Sequence, residues 1–267
     1  FVSHPLYADF TRDLSELLDV ADRPVLSPGE LGCFDEHGIF PFSPVPVGDE
    51  VWAYTCGWSR RVAVPVETAT GLAISRDGGR TFARIGPGPV FGPSPHEPFL
   101  VGDSFVVADV GTFHMWYMFG TSWARPAADA APERTYKIGH VTSPDGVHWP
   151  PGTGCQIVPD RLGASESQAL PTVIRVGGRW HMVFCYRESV DFRTHPDRGY
   201  QLGYAWSDDL VEWHRDDAAL DLPRGAWDDA MRCYPNLFTV DGRLYLLYNG
   251  NEFGRHGFGA AVLEDAP

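Results

Sequence analysis

The chain has 267 residues, 43% of them hydrophobic and 13% aromatic, enough for one large all-β domain with a substantial core and too apolar for a disordered chain. A formal net charge of −14 repels phosphate backbones and offers no basic patch to anionic lipid, so neither nucleic acid nor a membrane is expected as a partner. Glycine (29) and proline (23) are frequent without a collagen period, as in many short strands joined by tight turns.

In chain order, "HPLYADFTRDL" (4–14) is a weak strand-and-turn unit at the head of residues 1–28. "CFDEHGIFP" (33–41) comes next, with three titratable side chains ahead of an apolar run, and then a hairpin, "SPVPVGDEVWAYTCGW" (43–58). "GLAISRDGGRTF" (71–82) is a strand followed by a Ser-x-Asp turn. The same two units recur: hairpins at "SFVVADVGTFHMWYMFG" (104–120), "PTVIRVGGRWHMVFCYR" (171–187) and "PNLFTVDGRLYLLYNGN" (235–251), and strand-turn units at "IGHVTSPDGVHW" (138–149) and "LGYAWSDDLVEW" (202–213). "FGAAVLEDAP" (258–267) is a second weak flanking copy, and "ARPAADAAPER" (124–134) reads as a long loop between strands. Ser75, Ser143 and Ser207 stand 68 and 64 residues apart. Four strands in each such period predict a β-propeller, with blade repeats at 1–28, 29–92, 93–160, 161–223 and 224–267 of a single domain. Four inner hairpins face five outer units, so a complete five-bladed ring is expected to need roughly 40 more residues upstream to complete the first blade.

The Ser-x-Asp-Gly turns have a structural job, because serine and aspartate oxygens bond local amides and glycine supplies positive φ. Trp149 and Trp213 read as inter-blade packing, as do His114 and His181 in their aromatic strands. Five cysteines (33, 56, 155, 185 and 233) are odd in number and show no zinc spacing. They predict a reducing compartment, and without a visible signal peptide the chain is read as cytoplasmic; a start at Phe1 leaves secretion open. No cofactor is expected, and an axial metal held by histidine and water stays open.

In a propeller the innermost strands run the same way along one axis, so the residues just before them meet on one face. Those residues include Asp35, Glu97 and Asp103, Glu166, and the pair Asp228 and Asp229. Gathered carboxylates raise each other's pKa, and paired carboxylates are the equipment of glycoside hydrolysis. An accidental cluster in an acidic chain is the alternative. Trp58, Trp123, Trp227 and Tyr234 are candidates to stack on a sugar. Glu36, His37 and His96 flank the candidate acids. Arg187 ends an inner hairpin, placed either to bind a substrate anion or to pair a blade acid. Asn249 and Asn251 either donate to sugar hydroxyls or shape a turn.

The stretches "PVLSPGELGCFDEHGIFPFSPV", "ISRDGGRTF", "YKIGHVTSPDGVHW", "YQLGYAWSDDLVEW" and "CYPNLFTVDGRLYLLYNGNEFGRHGFGAAV" together resemble the five-bladed propeller glycosidases of the family 43 and family 32 type, and most of all their bacterial glycosylase-like branch. The resemblance runs over nearly the whole chain. It implies an all-β five-bladed propeller that hydrolyses a small glycoside or furanoside, with Asp35 as base or nucleophile, Glu166 as acid and Asp103 as modulator. Where the family pattern is "DPxV", Ser104 replaces proline; Leu170 stands where a basic residue is expected, and Ala230 where another acid is expected. A transferase or phosphorylase, needing a phosphate pocket from Arg187, Arg232 or Arg255, and a non-catalytic sugar-binding propeller are the alternatives.

Overall fold

The computed structural model describes residues 2–263, so Phe1 and the last four residues of the flanking stretch 258–267 lie outside the described residues. The chain is all-β, with sixteen strands among the described residues and helical turns of only three or four residues. β1 (Ala8–Phe10) and β2 (Leu17–Val20) pair with each other. A four-stranded sheet comes next: β3 (Ile39–Val47), β4 (Glu50–Ser59), β5 (Glu67–Ser75) and β6 (Ala83–Arg84). β7 (Val101–Asp109), β8 (Thr112–Ala124) and β9 (Glu133–Ser143) form the second large sheet. β10 (Glu166–Val176), β11 (Arg179–Glu188), β12 (Gln201–Ser207) and β13 (His214–Arg215) form the third. β14 (Cys233–Val240), β15 (Arg243–Asn249) and β16 (Phe258–Val262) complete the series.

Each sheet is antiparallel with its strands in chain order, each strand pairing with the next along the chain. The tight hairpins close where two successive residues accept positive φ: Val110-Gly111, Gly177-Gly178 and Asp241-Gly242. The Ser-x-Asp turns are local hydrogen-bond devices. The Ser75 hydroxyl donates to Asp77 at 2.7 Å and accepts the Gly79 amide at 2.9 Å, and the pattern repeats at Ser143 and Ser207. Hydrogen bonds from the residues that follow lower the pKa of these aspartates, chiefly the Thr81 hydroxyl and amide at Asp77, the His148 amide and ring at Asp145, and the Glu212 and Val211 amides at Asp209.

The first strands of the four large units pack on one another in order, β3 on β7, β7 on β10 and β10 on β14. The sheets therefore meet face to face, and the second strands are buried on both alternations, as in Ala53–Gly57 of β4 and Met115–Gly120 of β8. Trp116, Ile138, Val173, Met182, Phe184 and Trp213 fill the space between the second and third large sheets. The free cysteines Cys56, Cys185 and Cys233 are buried among these apolar layers. The ends of the series also meet. The Phe40 and Tyr234 rings, from β3 and β14, lie 5.1 Å apart edge to face. Phe10 touches Phe258 at 6.1 Å, and Arg12 donates to Asp241 at 2.6 Å. No helix among the described residues is long and apolar enough to cross a membrane.

Within the sheets, cross-strand packing also leaves no room at some positions. A Cβ on Gly139, in β9, would lie 2.8 Å from Cζ of Tyr117, whose hydroxyl donates to Glu97 at 2.8 Å. Gly139→Ala is expected to cost about 1–3 kcal/mol of stability by overpacking, read as a lower urea midpoint at unchanged slope. A wild-type midpoint would show that the Tyr117 ring gives way freely there.

Candidate active site

Four acids that precede the inner strands are fully buried: Asp35, Glu97, Glu166 and Asp228. None bonds another. Each turns into its own sheet and ties the entering loop to a later strand. Asp35 accepts from Nε of Arg84, on β6, at 3.0 Å and also from that residue's Nη2. Glu97 accepts from the Tyr117 hydroxyl at 2.8 Å and the Gly154 amide at 2.9 Å, and burial raises its pKa. Glu166 accepts the amides of Arg161 and Leu162, both at 2.8 Å, and Nη1 of Arg215, on β13, at 2.6 Å. Asp228 accepts from the Gly225 amide at 2.6 Å, Nε of Arg232 at 2.8 Å and the Tyr248 hydroxyl at 3.1 Å. Each sheet thus carries one clamp built on an acid that precedes its inner strand. An acid left uncompensated in a dry layer is costly, and a guanidinium, phenol or backbone amide on the same sheet answers it.

The next residues along share a backbone irregularity. Every inner strand carries a bulge at the same place, between Ile39 and Phe42, Gly102 and Phe105, Ala169 and Thr172, and Cys233 and Asn236. The bulged residues are Phe40, Asp103, Leu170 and Tyr234; the last three have left-handed φ of 52°, 48° and 59°. A bulge re-aims a side chain, and here the re-aimed set is two aromatics, one leucine and one carboxyl. Asp103 alone of the four is an acid.

Asp103 lies recessed between sheets, beside Cys56 of β4, the Leu170 amide of β10 and Arg134 of β9. Burial raises its pKa to about 7, against the opposing pull of Arg134, the Leu170 amide and the Cys56 thiol. Its charge reaches Tyr234, from which a run of aromatic side chains continues. Phe40 is 46% exposed and offers a free face beside Tyr234. Tyr234 contacts Tyr200 at 6.0 Å, and the Tyr200 and Tyr136 hydroxyls meet. Arg134 lies over the Trp123 ring at 5.7 Å and the Tyr136 ring at 5.9 Å. The result is an aromatic chamber beside one carboxyl whose pKa burial raises to about 7.

The other sequence candidates fall around this chamber or outside it. Trp58 stacks on His37 at 5.8 Å and donates to the Ser3 hydroxyl at 2.8 Å, which docks the amino-terminal segment. Glu36 accepts the Gly32 amide at 2.9 Å and so shapes its turn. His96 is exposed beside the Glu97 clamp. Arg187 is buried under the chamber and donates to the Tyr136 hydroxyl and to the carbonyls of Glu188 and Ser189, so its fork is occupied by the protein itself. Trp227 is 41% exposed and stacks on Tyr248 at 5.2 Å, on the outer part of its sheet. Asn249 donates to the Phe253 carbonyl at 3.2 Å and Asn251 accepts the Ala230 and Met231 amides, so both shape the turn after β15. Arg232 is bound to Asp228 and Arg255 to Glu252, which removes both from a phosphate pocket. Arg134, Tyr136 and Tyr200 were not singled out by sequence reading. A signal was present: Phe40-Pro41, Leu170-Pro171 and Tyr234-Pro235 mark one position in three inner strands, and Asp103-Ser104 is its fourth copy.

Two recesses lie elsewhere. One of about 440 Å³ is apolar and sits at the hairpin end of β10, lined by residues such as Ile174, Val183, Leu237 and Leu246. One of about 550 Å³ lies between the Gly32–Glu36 turn and the ends of β4 and β5. Neither touches Asp103.

No family model matches the chain. Two Mycobacterium tuberculosis proteins, MT1551 of strain CDC 1551 and Rv1502 of strain H37Rv, are each 34% identical to it over 253 residues, which is 94% of this chain and 79% of theirs. Both are named only as uncharacterized proteins. Among solved structures, one titled "Glycoside hydrolase" aligns with a TM-score of 0.66 at 18% identity, covering 91% of this chain and 74% of that one. A β-1,2-mannobiose phosphorylase from Listeria innocua aligns at 0.62 and 13% identity, over 92% and 63%. The family 32 β-fructofuranosidase BmSUC1 of Bombyx mori aligns at 0.56 and 14% identity, over 84% and 47%. The chain has the propeller fold of these carbohydrate-active proteins.

Proposed function

We propose that this chain, which belongs to one family with the Mycobacterium tuberculosis proteins MT1551 and Rv1502, is a carbohydrate-active enzyme that cleaves a small glycoside in the axial chamber with Asp103 as proton donor. One observation carries the reading: of four equivalent bulges aimed at the axis, one holds an acid, and burial keeps its pKa at about 7. A general acid works best with a pKa near the working pH. In cleavage the Asp103 proton passes to the glycosidic oxygen as the bond to the anomeric carbon breaks, and the departing sugar leaves as an alcohol. Phe40, Tyr234 and Trp123 offer faces for the sugar's C–H surface.

The clamped acids Asp35 and Glu166 are not the working pair in this reading, because each is bound to a guanidinium of its own sheet, Glu166 with its second oxygen on two loop amides and Asp35 through Oδ2, its Oδ1 lying buried without a partner among the described residues. No second carboxyl stands at a bulge, so the group that attacks the anomeric carbon is water or a co-substrate such as inorganic phosphate. The ring is five-bladed on this proposal, with β1 and β2 as the blade between the last sheet and the first. Phe10 against Phe258 on one side and Arg80 against Asp9 at 2.7 Å on the other support that place.

The missing second carboxyl also favours a second reading, a propeller that binds sugar without cleaving it. Nitrophenyl furanosides and pyranosides and unsubstituted disaccharides, each with and without phosphate, separate the two. The enzyme reading expects product from at least one, lost in Asp103→Asn. Sugar binding without turnover across the panel gives the protein to the second reading.

A further inference from the structure

The chain is acidic, with 35 Asp and Glu against 21 Lys and Arg, yet the axial chamber holds two guanidinium groups with no carboxylate in ion-pair range among the described residues. The contrast with the rest of the molecule is sharp. Lys137 meets Asp160 at 2.6 Å, Arg215 meets Glu166 at 2.6 Å, and Arg232 meets Asp228 at 2.8 Å. Arg187 is just as buried, at 1% exposure, and is answered without a carboxylate, by the Tyr136 hydroxyl, two carbonyls and the faces of Phe192, at 3.5 Å, Tyr136, at 5.0 Å, and Tyr200, at 5.3 Å. Arg134 lies by the same Tyr136 ring and donates no hydrogen bond among the described residues. Its neighbour Glu133 is taken by Arg193 at 3.7 Å. Asp103 feels its charge but does not approach within ion-pair distance.

We infer that Arg134 is the anchor of an oxyanion site in the chamber, so that the ligand carries a carboxylate or phosphate, either on the sugar or as an inorganic co-substrate. The inference rests on the carbohydrate reading above and deepens it. A half-buried guanidinium with its fork free is poorly solvated and unpaired, a cost that an anionic ligand removes. The planar fork matches the two oxygens of a carboxylate or phosphate, and the Trp123 and Tyr136 rings hold its plane. Arg187 adds positive field from below and fixes Tyr136; with all its bonds made inside the protein, it is a positioning residue.

The test is calorimetric titration of the full chain with matched pairs: methyl glucoside against methyl glucuronide, glucose against glucose 6-phosphate, and inorganic phosphate alone. The acidic member is expected to bind about tenfold or more tightly than the neutral one. Arg134→Gln should bring the pair to parity with neutral-sugar affinity kept, and Arg134→Lys should restore part of the preference. Phosphate binding that Arg134→Gln abolishes identifies the free ion as the ligand; preference for acidic sugars without phosphate binding identifies the sugar's own group. Equal binding of acidic and neutral sugars with no phosphate bound overturns the oxyanion site and leaves the carbohydrate reading standing, as does a preference that survives in Arg134→Gln. Phosphate bound through Arg134 with no sugar bound supports the site and counts against the carbohydrate reading. Absence of all binding overturns both. The wild-type pairs decide the matter even where a variant fails to fold.

Discussion

Asp103→Asn is expected to lower turnover by about 10²- to 10⁴-fold while leaving sugar affinity nearly unchanged, measured as kcat beside a calorimetric titration. Asparagine keeps the shape and a donor but has no proton to give. The same change is expected to stabilise the protein above neutral pH. Burial raises the Asp103 pKa from an ordinary 3.8 to about 7, so between those values the folded state holds a proton that the unfolded chain has released. Stability contributed by the neutral carboxyl is full below about pH 3.8 and is lost as pH rises to about 7. At about 1.4 kcal/mol for each tenfold change in proton affinity the loss is capped near ~4 kcal/mol, and partial solvent access points to about 2. Thermal melts at pH 5 and pH 8 should therefore diverge more for wild type than for Asp103→Asn. Wild-type turnover should fall above about pH 7 as the proton leaves. Full activity in Asp103→Asn would remove it from the chemistry.

Breaking a clamp should act on folding instead. Arg215→Met leaves Glu166 charged in a buried layer and also strips Asp217 of its bond at 3.0 Å. The expected loss is about 3–5 kcal/mol, seen as a lower urea midpoint. Adding Glu166→Gln should recover part of it, because glutamine still accepts the Arg161 and Leu162 amides without a charge to desolvate. Glu166→Gln alone should keep turnover per folded molecule. The resemblance to family 43 and family 32 enzymes implies instead that Glu166 is the acid. Turnover lost by orders of magnitude in a fully stable Glu166→Gln protein would restore that role and displace Asp103.

How far the site could be read from sequence depends on the reach of the forces involved. The Ser-x-Asp turns were legible because serine, aspartate and glycine act within four residues, and the hairpins because Gly177-Gly178 and Asp241-Gly242 decide their own turns. The near 65-residue recurrence of these local devices was enough to expect stacked sheets around an axis. The acids ahead of the inner strands were legible as positions but not as directions. Asp35 and Arg84 are 49 residues apart, as are Glu166 and Arg215, and nothing nearby in sequence tells a carboxylate whether to face the axis or a partner brought alongside by the intervening strands.

Tertiary structure made that choice. A side chain's direction in a strand is set by register, and one extra residue turns the later side chains to the other face. The bulge common to β3, β7, β10 and β14 sets Phe40, Asp103, Leu170 and Tyr234 apart from the regular ladder, while the preceding acids bond within their own sheets. Period, turns and all-β class belong to local chemistry and needed only the sequence. Which carboxyl is recessed, beside which cation, and with what proton affinity depends on packing between sheets, because desolvation and charge act through space between residues far apart in the chain.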